Sequence, residues 1–347
     1  MKRMTFLGAI LAAAALAPPA LTAGQQPAGQ MDMQHMSHMP GMEHMAMKKA
    51  QGVKLEVKND EAHHILTLRL GPLNLPARAG MSVAQAPDLY WTVPIEGWLV
   101  AYHPRLEDAA ERTLPGRLLH HVAVYDTNRA DFLCPRHPEH IFGAGGEMGD
   151  WPATPGVGYR VHPGDRILVS TMFHNDYPVS YPHTFLEVKI EYQPLVPGGP
   201  ELADVYPSWF DVKECGESGY DLRPGRNVTS GEFTLGFSGK LIGVGGHLHN
   251  YGQELMLEDA TRHQEVATMH ARLDAQGRII SIPIVRFTES GGFPLAKGDV
   301  LKVTAIYNNP TGKYLPDSAM GIVVGYFLPD QDSAFAALRR PKGASGQ

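Results

Sequence analysis

Histidines that could share a metal ion fall at three places in this chain. His120 and His121 sit in Leu118-Leu119-His120-His121-Val122-Ala123-Val124-Tyr125, and His174 closes Thr171-Met172-Phe173-His174-Asn175. Three imidazoles make a compact site for copper, zinc or iron. On a flat strand His120 and His121 face opposite ways, so both reach one ion only at a twisted or bulged strand end. Otherwise one packs in the core and the other meets solvent. His247 and His249 lie in Gly245-Gly246-His247-Leu248-His249-Asn250, and their i, i+2 spacing sets both rings on one strand face, a chelating arrangement. Gly245 and Gly246 are expected to leave room around it. Met320, in Ala319-Met320-Gly321, is either a core residue or a soft thioether ligand. His137, His140, His162, His183, His263 and His270 show no chelating spacing, although His140 is a candidate to line a cleft.

A second metal-affine stretch is compositional. Seven of the chain's 15 methionines fall in the 17 positions from Met31 to Met47, interleaved with His35, His38 and His44. No apolar face is built there, so residues 24–51 are expected to form a disordered tail that captures Cu(I) and Cu(II), the alternative being a plain low-complexity linker.

The elements that must position these residues read as β. Val53–Val57 and Ile65–Leu70 alternate with period two, and further strands are expected at Leu118–Tyr125, Arg166–Phe173, Phe185–Tyr192, Glu232–Phe237, Lys240–Leu248, Gln253–Leu257, Ile279–Phe287, Val300–Tyr307 and Gly321–Phe327. Ala334–Arg339 is the best short helix candidate. The expected fold class is all-β: two tandem antiparallel β-sandwich, jelly-roll-like domains. An internal echo supports two related sandwiches. Gly164-Asp165, a strand and Asn175 match Gly298-Asp299, a strand and Asn309, and each is followed by a strand ending at proline, Pro194 or Pro329. The expected domains are 52–194 and 200–330, joined through the Pro/Gly-rich Gln193–Pro200, with a C-terminal tail at 331–347.

Residues 1–23 read as a cleaved secretory signal, with Lys2 and Arg3 before an apolar run ending at Leu21-Thr22-Ala23. Their loss takes the formal charge from −6 to −8 and places the protein in a secreted or periplasmic compartment. With no basic stripe and no second apolar span, nucleic acid and a stable membrane span are not expected. The two cysteines, Cys134 and Cys215, either form one disulfide or stay as buried thiols. Asn227-Val228-Thr229 fits a glycosylation acceptor, without meaning in a bacterial source.

Read in order, the chain gives His-His, His, His-x-His and Met, separated by 53, 73 and 71 positions. That order resembles the copper type II, ascorbate-dependent monooxygenases, the peptidylglycine- and dopamine-hydroxylating family, and suggests a divergent bacterial member. Gly156-Val157-Gly158-Tyr159-Arg160-Val161 and Tyr307-Asn308-Asn309 also look alike, and the resemblance spans about residues 85–330. It implies two copper ions per chain. His120, His121 and His174 would hold the electron-supplying copper, and His247, His249 and Met320 the catalytic, O2-activating one. Ascorbate or a similar reductant would act as co-substrate, with a small-molecule or peptide substrate in an interdomain cleft and copper-delivery proteins as further partners. The family's peptide-gripping Arg, Asn and Tyr are replaced here by Gly245, Ile322 and Val324, so the substrate does not transfer.

The leading expectation is a C–H-hydroxylating copper oxidoreductase. Its rival is a non-catalytic periplasmic copper buffer on the same scaffold. A structural sandwich with surface histidines is disfavoured by the joint motif order.

Overall fold

The computed structural model describes residues 52–79, 86–213, 215 and 218–338. The expected signal, the Met/His tail and the end of the C-terminal tail lie outside them. The chain is all-β, two tandem antiparallel β-sandwiches. Among the described residues the helical turns are short 3-10 pieces, and Asp332–Leu338 takes most of the expected C-terminal helix. No helix there is long and apolar enough to cross a membrane.

In the first half a six-stranded sheet runs in the order Lys54–Asp60, Ile65–Leu75, Tyr181–Pro194, Gly97–Glu107, Val157–Val161 and Ala203–Asp204. A four-stranded sheet, Leu89–Thr92, Arg166–Phe173, Leu119–Ala130 and Pro138–Ala144, closes its core. Alternation explains the outer strands: Ile65, Thr67 and Arg69 are partly exposed, while Leu66, Leu68 and Leu70 are buried. The second half repeats the plan. Gly225–Thr234, Val300–Asn309, Gly252–Asp259 and Gln264–His270 form one sheet, and Tyr206–Asp211, Gly321–Pro329, Gly239–Leu248 and their short partners form the other.

The echo between the halves is structural. Gly164 and Gly298 both take a left-handed conformation, φ 91° and 92°, which glycine adopts without a Cβ clash. Each following aspartate is buried and accepts from the backbone three residues before it, His162 N to Asp165 at 2.8 Å and Ala296 N to Asp299 at 2.6 Å. A buried asparagine then sits at or just past the end of each strand, its amide donating to a carbonyl four residues on and to one from elsewhere in the chain. Asn175 donates to Val179 O and Pro76 O, and Asn309 to Lys313 O and Arg223 O.

The seam between the sandwiches is packed. Ile322 and Val324 of the second half belong to the first core, while Phe132 and Cys134 of the first belong to the second. Tyr326 donates across the seam to Ile141 O at 2.9 Å. Cys134 and Cys215 form a disulfide between the halves, closing a separation of 81 residues. In a chain-entropy account a loop this long is worth about 4 kcal/mol, with measured cases in the range of roughly 2–5. The double variant Cys134→Ser, Cys215→Ser should therefore lose unfolding free energy in that range, read as a lower urea midpoint. An unchanged midpoint would mean the packed seam alone holds the halves.

Candidate histidine cluster at the seam

All five histidines expected to bind metal meet at this seam. The strand Leu119–Ala130 pairs with Arg166–Phe173, and the register slips between Leu119↔Phe173 and His121↔Met172. His120 is the extra residue, a bulge of the kind the adjacent pair required. The slip brings the His120 and His121 ring centres to 5.1 Å, and His174, just past the partner strand, to 5.5 Å from His120. From the second half, His247 is the penultimate residue of the strand Gly239–Leu248 and His249 follows the strand, ring centres 5.1 Å apart.

Contact across the seam is as close as contact within either half. His120 lies 4.7 Å from His249 and 6.1 Å from His247, and His121 lies 6.4 Å from His247. The expected separation into a three-histidine site and a distant site of two histidines and a methionine is not what the fold builds. His120, His247 and His249 are a mutually adjacent triple drawn from both sets. Met320 is buried at the wall of an apolar cavity beside His121 and His247, whereas His249 opens to a polar hollow on the other side with His120 and His174.

Tyr307 sets the Met320 backbone. Its hydroxyl donates to Met320 O and accepts from Met320 N at 3.2 Å and His249 N at 2.8 Å. The room expected beside Gly245 and Gly246 is already filled. A Cβ on Gly246 would collide with the Leu255 side chain, and one on Gly245 would press on Met148 and Trp151 at 3.3 and 3.4 Å.

Glu147 is the residue that sequence spacing did not reveal. It is buried, and its carboxylate accepts from His247 Nδ1 at 2.5 Å. That bond places a proton on Nδ1 and, in the neutral ring, leaves Nε2 as the lone pair. The Nε2 atoms of His247 and His249 are both buried without a partner. Desolvation and the neighbouring rings push His120 and His249 well below the ordinary imidazole range, and the same causes hold His121 at about 3. Burial likewise lowers His174. His247 is the exception: burial opposes its charge, but Glu147 outweighs burial and raises it. Four neutral imidazoles and one carboxylate-backed imidazole are suited to hold a cation. As the side chains lie, however, no group of three or more His, Cys, Asp or Glu among the described residues is set to hold a metal ion.

No family model matches the chain, and no curated protein matches it. Solved structures resemble it at low identity. The STIV MCP shares 11% identity over 79% of this chain and 99% of that chain, TM-score 0.39. The major capsid protein P2 of bacteriophage PM2 shares 10% over 77% and 98%, TM-score 0.36. PNGF-II shares 10% over 82% and 62%, TM-score 0.34.

The copper monooxygenase reading is corrected by the geometry of the cluster. The two ligand sets do not form the two separate centres that such an oxidoreductase needs, and no closed metal-holding group stands among the described residues. The enzyme assignment and the copper-buffering role are withdrawn with that reading, whereas copper as a bound ion is untouched by these findings. What remains is the all-β sandwich and the histidine cluster itself.

The lowered histidines make the fold acid-sensitive. Each binds a proton on unfolding once the pH drops below the unfolded imidazole value of about 6.5, so stability is lost as pH falls through that value. For His121 the loss continues down to about 3. His247 acts in the opposite sense, contributing stability below about 6.5 that is lost as pH rises through its raised value. In urea unfolding between about pH 4 and 7, His121→Gln should show a shallower acid decline than the parent. Equal slopes would mean His121 is not held neutral in the fold.

Proposed function

We propose that the chain is a transition-metal-binding protein whose shared centre is the triple His120, His247 and His249. The observation that carries this is His247: its Nδ1 is locked to buried Glu147, and its Nε2 is buried with no partner. Buried polar atoms are nearly always satisfied, and a carboxylate behind an imidazole is the usual outer support of a metal-bound histidine. His249 Nε2 is likewise buried with no partner. Two imidazoles on one tetrahedral ion at about 2.0–2.1 Å hold their ring centres about 5 Å apart. The observed 4.7, 5.1 and 6.1 Å leave only ring rotations and a small inward shift to close the triple.

Imidazole suits copper, zinc, nickel and iron, and copper(II) stands at the top of the affinity order. The disulfide supports an oxidising compartment for this chemistry.

The test is copper(II) titration of the chelator-treated full chain, followed by electron paramagnetic resonance for nitrogen coupling. His247→Ala and His249→Ala should each remove a tight class of copper and its nitrogen coupling. Glu147→Gln should weaken that class by about 10–100-fold. The Met/His segment is common to all these proteins, so the difference between them reports the cluster. Unchanged tight binding in both alanine variants rules the centre out.

A further inference from the structure

We propose that the apolar cavity at the seam is a binding site for a neutral, aromatic small molecule of about the size of p-cresol. This goes beyond the metal reading and does not depend on it. The cavity measures about 190 Å³, and an apolar cavity of about 150 Å³ is enough to stay dry and take up benzene. Its walls come from both halves: Val122, Ala123 and Met148 from the first, Trp209, Ile322 and Val324 from the second.

The walls are buttressed. Trp209 stacks on His140 with ring centres 3.9 Å apart, and His140 is held in turn by buried Asp131 at 3.2 Å. Gly143 is required there, because a Cβ would strike the Trp209 ring at 2.6 Å. A preformed apolar pocket with few polar groups is the usual form of a small-molecule site.

Charge sets the ligand class. Among the described residues no lysine or arginine lines the cavity, and His247 is already paired with Glu147, so a carboxylate brought into it finds no unpaired cation and bears the cost of desolvation. His137, His140 and Asp211 give a polar edge that can take a single hydroxyl. His121 and His247 line the same cavity, which places the ligand beside the histidine cluster.

The experiment is calorimetric titration of the chelator-treated full chain with p-cresol and with benzoate, a size-matched anion. The expected result is one saturable p-cresol site and at least about tenfold weaker benzoate binding, one decade being 1.4 kcal/mol. Ala123→Leu and Ala144→Val, each confirmed folded by near-ultraviolet circular dichroism, should lower p-cresol affinity by a similar factor. His249→Ala, outside this cavity, should keep p-cresol binding while losing tight copper, which separates the two readings. Absence of a saturable site in the parent, equal binding of benzoate, unchanged binding in a folded cavity-filling variant, or loss of p-cresol binding in folded His249→Ala would each overturn the proposal.

Discussion

The bond between Glu147 and His247 is the constraint on which the seam is built. A carboxylate and an imidazole are both withdrawn from water there, and each would be costly alone. Only contact between the two halves pairs them, at 2.5 Å. The loop that delivers Glu147 must then be nearly bare. A Cβ on Gly145 would collide with the Glu147 carboxylate itself, and one on Gly146 would sit 2.8 Å from the Arg117 backbone. The Glu147 carbonyl also accepts from Ile282 N of the second half, and Arg117 pairs with Asp274 at 3.1 Å. Polar bonds of both backbone and side chain thus converge on this corner, and the histidine rings inherit their spacing from it.

Much of the scaffold is legible in the sequence because one-sided burial leaves a period-two trace. Alternation places Val300–Asn309 to within two residues, while Arg166–Phe173 and Gly239–Leu248, buried on both faces for most of their length, are placed by their apolar runs between turn residues. The Gly-Asp and Asn echo is readable for a local reason: these residues satisfy their own turn, so their identity is fixed by neighbours in the chain. Gly97–Glu107, Pro138–Ala144 and Tyr206–Asp211 leave no such trace. They are buried with little alternation, and each contains a proline, so neither signal of an ordinary strand is present.

The site is half legible. The five histidines stand out by type and spacing, and the adjacent pair even requires a bulge, which the register slip at His120 supplies. Grouping them is another matter. Sequence order assigns His120, His121 and His174 to one half and His247 and His249 to the other, which invites two centres. The strand ends that carry them all point to the same seam, a property of how two sandwiches dock and not of any local pattern. Glu147 is hidden for the same reason, being an acidic residue in a glycine-rich loop whose partner lies 100 positions away.

Because the rings are carried by two halves, the cluster registers their alignment as a vernier would. A slide of one sandwich against the other would change the His120–His249 distance and would also drag Ile322 and Val324 through the first core and Phe132 through the second. The disulfide, the Tyr326–Ile141 bond and the Arg117–Asp274 pair fasten the halves at three separate places. The relative alignment of the halves is therefore written into the spacing of five side chains, and whatever bridges those side chains also bears on the angle at which the two halves of the molecule meet.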